Sequence, residues 1–329
     1  MNINLPRLPI AHLPTPLETL PRLSKELGPR LYIKRDDQTG LAGGGNKTRK
    51  LEHLVADALE KKADTLITVG APQSNHARQT AAAAAKFGLR CILVLRGNAP
   101  PVTTGNLLLD HLLGAQVIWS GKRSREAVME EVAEEEKAAG RHPYPVPLGG
   151  STPLGAAAYA LAMVELKEQI DAMRGQGEFQ TRFDRIIFAS SSGGTQAGLV
   201  VGAGMTGFRG EVLGISVDED LETLRSTVAR IATETATLLG QPRSYSPQDI
   251  SANTNYLGAG YAFMGRPERE AIELFAQTEG ILVDPVYTGR AAAGMIDLLR
   301  RGVICKDETI LFWHTGGTPA LWAYADQLV

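Results

Sequence analysis

The chain has 329 residues, of which 43% are apolar and 21% charged, with a formal net charge of -2. That length holds one large or two medium domains, and the composition is that of an ordinary globular protein. A near-neutral balance without basic blocks argues against nucleic acid or an anionic membrane as main partner, and no apolar run approaches the roughly 20 residues of a membrane span.

The leading residues, Met1 to Arg7, lack the apolar core of a signal peptide, which predicts a cytoplasmic protein. Next comes the run Gly43-Gly44-Gly45-Asn46-Lys47, where an amphipathic helix begins. Thr65 to Val69 reads as a strand that leads through Ser74-Asn75 into an Ala-rich helix, Ala77 to Phe87. Cys91 to Leu95 is the next strand, followed by a helix around Leu107-Leu108-Leu109. Gln116 to Trp119 precedes a charged, solvated helix from about Glu126 to Lys137. The segment Arg141 to Gly150, with three prolines and two glycines, reads as a crossing between domains. A second series then carries the strand Arg185 to Ala189, a Ser/Gly loop, a helix starting near Gln196, and Glu211 to Val217. It ends with Thr309 to Trp313, Gly316-Gly317 and a short closing helix after Pro319. Strands alternating with helix-length segments predict parallel sheets built from βαβ units, and hence two α/β domains with a cleft between them. Cys91 and Cys305 show no CxxC spacing, Cys91 reads as a buried small residue, and no disulfide is expected. The six histidines have no paired ligand spacing, so no metal site is expected.

Three glycines before a helix let the backbone pass close to a ligand, and the helix start aims its amides at an anion. A nucleotide-binding P-loop fits poorly, because Asn46 separates the last glycine from Lys47 and no upstream glycine has the required spacing; ATP binding without cofactor absorbance would mark that reading. A lysine in a partly dry cleft, its pKa lowered, suits Schiff-base formation with an aldehyde, which makes pyridoxal phosphate (PLP) the cofactor to test. A phosphate cup is available downstream. Ser190 to Thr195 lies between a strand and a helix N-terminus, where amides, hydroxyls and the helix dipole converge. Taken alone, that loop could be only a Ser-rich turn, and Ser74 could be only the N-cap of its helix.

Motifs in one order along nearly the whole chain give these features a family setting. They are Leu13-Pro14-Thr15-Pro16-Leu17-Glu18, Ile33-Lys34-Arg35-Asp36-Asp37 and Gly44 to Glu52, then Gln73-Ser74-Asn75-His76-Ala77-Arg78-Gln79. The Ser/Gly loop, Asp284-Pro285-Val286-Tyr287-Thr288-Gly289 and His314-Thr315-Gly316-Gly317 complete the set. Together they resemble the fold-type II, tryptophan-synthase-β-like PLP enzymes, and within them the family of 1-aminocyclopropane-1-carboxylate (ACC) deaminase and D-cysteine desulfhydrase. The resemblance implies two open twisted parallel-sheet domains, with the cofactor in the cleft between them. Residues 1–46 plus 160–329 would form the larger domain and residues 47–159 the smaller. It further implies that Lys47 holds PLP and serves as the base for the substrate Cα proton. Asn75 would bond the cofactor's 3′ oxygen, while Ser192, Gly193, Gly194 and Thr195 would hold the phosphate. Ser74 would contact the substrate carboxylate or relay a proton, and Tyr287 and Tyr261 would face the substrate. A homodimer acting on a small amino acid is the implied assembly.

In ACC deaminases a glutamate follows the tyrosine that Tyr287 matches, and a leucine usually stands where Thr315 is. Thr288 and Thr315 occupy those places here. Neutral hydroxyls near the pyridine nitrogen give a milder electron sink, sufficient when thiolate or sulfite leaves from Cβ. The expected reaction is therefore β-elimination, as in D-cysteine desulfhydrase, rather than ring-opening. L-cysteate sulfo-lyase, which shares the threonine pair, is the alternative. A PLP-binding homeostasis protein would have no need of Ser74, Tyr261 and Tyr287 together.

Overall fold

Apolar runs buried on both faces are what a parallel sheet between helix layers requires, and the chain supplies two series of them. The computed structural model describes residues 5–177 and 182–329; residues 1–4 of the leading segment lie outside it. Its strands are β1 (Leu17–Thr19), β2 (Arg30–Arg35), β3 (Thr65–Gly70), β4 (Arg90–Leu95), β5 (Gln116–Trp119), β6 (Pro143–Val146), β7 (Arg185–Ser190), β8 (Glu211–Ser216), β9 (Ala252–Asn253) and β10 (Thr309–His314). The larger sheet runs β1-β2-β10-β7-β8-β9 and the smaller β5-β4-β3-β6. All neighbours pair in parallel except β1 with β2.

The helices are α1 (Pro21–Leu27), α2 (Lys47–Glu60), α3 (Asn75–Lys86), α4 (Gly105–Leu112), α5 (Arg125–Ala138), α6 (Pro153–Gly175), α7 (Gly194–Thr206), α8 (Leu221–Leu238), α9 (Arg266–Glu279), α10 (Thr288–Arg300) and α11 (Ala325–Leu328). Alternate strand residues point to opposite layers. Ile187 and Phe312 join α9 and α10 in one core. Ile186, Phe188 and Trp313 join α6 and α7 in another. In the smaller sheet Leu66 and Leu93 pack on α2 and α3, while Ile67 and Val94 pack on α5. Among the described residues no helix is long and apolar enough to cross a membrane. Cys91 is buried and Cys305 exposed, both as free thiols.

The proline-rich segment corrects the sequence reading. Pro143 to Val146 is not a free crossing but the strand β6, paired with β3 from Thr65↔Pro143 to Thr68↔Val146. Its edge position explains the prolines, since an edge strand can turn the side that lacks an N–H away from its one neighbour. The helix after it, α6, contains the expected domain boundary at 159/160 within its span, Pro153–Gly175.

β3, β7 and β10 each run into a loop at their carboxyl ends, and those loops meet. Gly70 leads to Ser74, Ser190 to Gly193, and His314 to Gly317. Helices α3 and α7 start directly beyond the first two, as ligand sites in such sheets require.

Candidate active site

Lys47 is the first residue of α2. Asn46, just before it, is fixed from two sides: its N–H donates to the Thr315 carbonyl at 2.9 Å and its Nδ2 to Thr195 Oγ1 at 3.0 Å. One half-turn on, the buried Arg49 guanidinium bonds both Asp36 and Glu165 at 2.9 Å, which anchors the helix start to β2 and α6. Lys47 Nζ itself has no hydrogen-bond or ion-pair partner among the described residues. Burial pushes its ammonium down to about 8, with the Asp218 charge opposing. Burial also drives Lys50 well below its ordinary value, but Lys50 Nζ donates to the Gly149 carbonyl at 3.0 Å. Of the two lysines, Lys47 is the uncommitted amine.

The Ser/Gly loop opens α7 as a cup. Gly193, at φ 81°, takes the left-handed conformation that lets the chain turn, and α7 begins at Gly194 without a side-chain cap. The first amides of a helix have no intrahelical acceptor, so they and the dipole are available to an anion. The back of this cup is something the sequence reading missed. Ser151 Oγ accepts the Gly194 N–H at 3.1 Å and shares a hydrogen bond with Ser192 Oγ at 2.8 Å.

Ser74, Asn75, Ser192, Gly193, Thr195, Tyr287 and Thr315 line one cleft with Lys47. Ser74 is the N-cap of α3, its Oγ accepting from Ala77 N–H at 3.1 Å, and it also faces the cleft. Tyr287 and Tyr261 share a hydrogen bond of 2.6 Å between their hydroxyls. Burial is the main cause that raises both, Tyr261 to about 12 and Tyr287 well above its ordinary value, so the pair stays protonated at neutral pH. Tyr261 lines the outer part of the cleft, with Ser74, Arg125 and Asp218. Two predicted residues sit elsewhere. Gly194 stands behind the lining on Ser151, and Thr288 is fully buried with its hydroxyl bonded to Asp284 Oδ1 at 2.7 Å.

Gly149, Ser151 and Asp218 are site residues that sequence reasoning passed over. Asp218 follows the end of β8; burial raises its pKa, and the Ser191 hydroxyl, donating at 2.7 Å, opposes that shift. Gly149 keeps space open: a Cβ there would come within 2.3 Å of Ser192 Oγ and 3.4 Å of Lys47 Nζ. A free amine of lowered pKa, an anion cup and a gap kept by glycine fit a small phosphorylated aldehyde. Among the described residues no group of three or more His, Cys, Asp or Glu is placed to hold a metal ion.

Comparison with known proteins agrees with that fit. The family model described as pyridoxal-phosphate dependent enzyme matches residues 9–316. A D-cysteine desulfhydrase of Yersinia enterocolitica is 44% identical over 329 residues, covering 98% of this chain and 97% of that protein. One from Salmonella newport is 43% identical over 325 residues, covering 97% and 96%. A crystal structure of an ACC deaminase homologue superposes with TM-score 0.87 at 39% identity, over 99% of this chain and 96% of that one. Threonine deaminase isoform 2 of Solanum lycopersicum shares the fold at TM-score 0.66 and 16% identity, over 95% of this chain and 82% of that one.

Proposed function

Since the chain belongs to the pyridoxal-phosphate-dependent enzyme family, we propose that it is the lyase that releases sulfide from D-cysteine, leaving pyruvate and ammonia. The observation that carries this reading is Lys47: an amine of lowered pKa, without a partner among the described residues, lining the cleft with the α7 cup, in a chain 44% identical to a D-cysteine desulfhydrase. Lys47 Nζ would hold PLP, the amides of the cup and Ser192 and Thr195 its phosphate, and Asn75 its ring oxygen. When bound, the cofactor supplies the electron sink for the Cα–H bond pair.

The chain's own groups supply the rest. With its pKa lowered to about 8, Lys47 can take the Cα proton at Nζ and pass it to the departing thiolate or to water. Ser74, on the helix start that faces the cleft, would receive the substrate carboxylate. The protonated Tyr287–Tyr261 pair would place a hydroxyl donor toward the departing sulfur, which needs no strong acid because a thiolate is a good leaving group. Thr315, which lines the cleft, would take the ring-nitrogen role with its hydroxyl, whereas Thr288 would act through Asp284. A cytoplasmic homodimer and the division at 46/47 and 159/160 belong to the same proposal, supported by the family resemblance.

L-cysteate is the second reading, favoured by the guanidiniums of Arg96 and Arg125 in the outer cleft, where a sulfonate would enter. The deciding experiment incubates purified holoenzyme with D-cysteine, L-cysteine, L-cysteate and ACC, measuring pyruvate and 2-oxobutyrate. D-cysteine turnover well above the others supports the proposal; preference for cysteate or ACC overturns it.

A further inference from the structure

Behind Asn75 lies a hydrogen-bond chain whose direction is fixed by chemistry. Arg78 and Asn106 are fully buried. Arg78 Nη1 donates to Asn106 Oδ1 at 2.9 Å, and Asn106 Nδ2 donates to Asn75 Oδ1 at 2.8 Å and to the Gln73 carbonyl at 2.9 Å. A guanidinium has donors only. Asn106 must therefore turn its oxygen to Arg78 and its amide hydrogens to Asn75. Asn75 must accept with its oxygen, which leaves its own Nδ2 hydrogens for the cleft.

We propose that Asn106, set by Arg78, is a positioning residue that makes Asn75 a hydrogen-bond donor toward the cofactor's ring oxygen. The same guanidinium donates to the Gly44 carbonyl at 2.6 Å, tying this relay to the glycine run that ends in Lys47. Burial lowers the Arg78 guanidinium only to about 10, with Asp110 and Asp284 opposing, so it stays a charged donor at neutral pH. The inference rests on the assignment of Asn75 and Lys47 to PLP. It adds that the polarity of Asn75 comes from residues that do not touch the cleft.

Asn106→Asp tests it with little change of shape. A carboxylate can still accept from Arg78 but cannot donate to Asn75, so Asn75 would rotate its nitrogen inward and present an oxygen to the ring oxygen. Apo-protein is titrated with PLP, following the absorbance of the lysine-bound cofactor from pH 6 to 9. Losing a hydrogen bond to a charged oxygen and facing it with another should weaken PLP about ten- to a hundredfold, and shift the pH dependence of the absorbance. In an Asn75→Ala background the same replacement should add less than about twofold, because its effect runs through Asn75. If Asn106→Asp does not fold, Asn106→Ala is carried through the same cycle. Unchanged PLP affinity, or an equal loss in the Asn75→Ala background, overturns the relay. Failure of the parent to bind PLP would instead overturn the cofactor assignment on which it rests.

Discussion

Replacing Gly149 with alanine isolates the space that this glycine keeps beside Lys47. Gly149 sits at φ 65° in the left-handed region, which costs an alanine about 1–2 kcal/mol. The new Cβ would lie 2.3 Å from Ser192 Oγ, where ordinary contact begins at 3.4 Å, so that hydroxyl must retreat by about 1 Å. The retreat breaks the 2.8 Å bond to Ser151 and takes Ser192 out of the cup, at about 1.5 kcal/mol. Gly240 offers a control, because it has φ 66° and a Cβ added there would meet nothing within 4 Å. Both variants should lower the melting temperature through backbone strain. Only Gly149→Ala should also weaken PLP, by about tenfold, in a titration of apo-protein followed by cofactor absorbance. If both variants bind PLP equally well, Ser192 has no part in holding it.

Three further outcomes are expected. Tyr287→Phe should lower kcat on D-cysteine about tenfold or more and Tyr261→Phe less, with the double variant no worse than Tyr287→Phe, since the two hydroxyls share one hydrogen bond; additive losses would show separate roles. Thr288→Glu with Thr315→Leu should cut sulfide release while giving at most weak ACC opening. The carboxylate at 288 would also lie against Asp284, which Thr288 now bonds, so denaturant midpoints should fall; sulfide release at the parent's rate contradicts this. Burial holds the folded Lys47 pKa at about 8, below its unfolded value of about 10.4. The cost of a buried ammonium is therefore present below pH 8 and disappears as the pH rises toward about 10.4. The stability advantage of apo Lys47→Met over the parent should shrink across that window, and an advantage constant from pH 7 to 10 refutes it.

Residues that state their role locally were legible in the sequence. β3, β5, β7, β8 and β10 are short apolar runs between turn signals, and the chain places strands at all of them. β6 was hidden by Pro143 and Pro145, because its edge position, which tolerates proline, depends on β3 lying far upstream in sequence. β2 carries Lys34, which is buried on Glu165, 131 residues away, a partner no local pattern announces. The same divide runs through the site. Lys47 and the Ser/Gly loop carry their own glycines and helix starts. Ser151, Asn106 and Asp218 are of ordinary type in ordinary segments, and only the folded contacts to Gly194, Asn75 and Ser191 single them out. Thr288 is a case between: its motif marked it, but the fold turns its hydroxyl onto Asp284 rather than the cleft.

The central claim is that Lys47 holds the cofactor, and borohydride reduction of the PLP-loaded protein followed by peptide mapping tests it directly. Lys47 has a free amine in the cleft, while Lys50, also buried, is committed to the Gly149 carbonyl at 3.0 Å, and Lys34 to Glu165 and the Thr15 carbonyl. One pyridoxyl group per chain is expected, on Lys47, and none on a Lys47→Ala variant. A label on Lys50 or Lys34, or labelling that survives in Lys47→Ala, would contradict it.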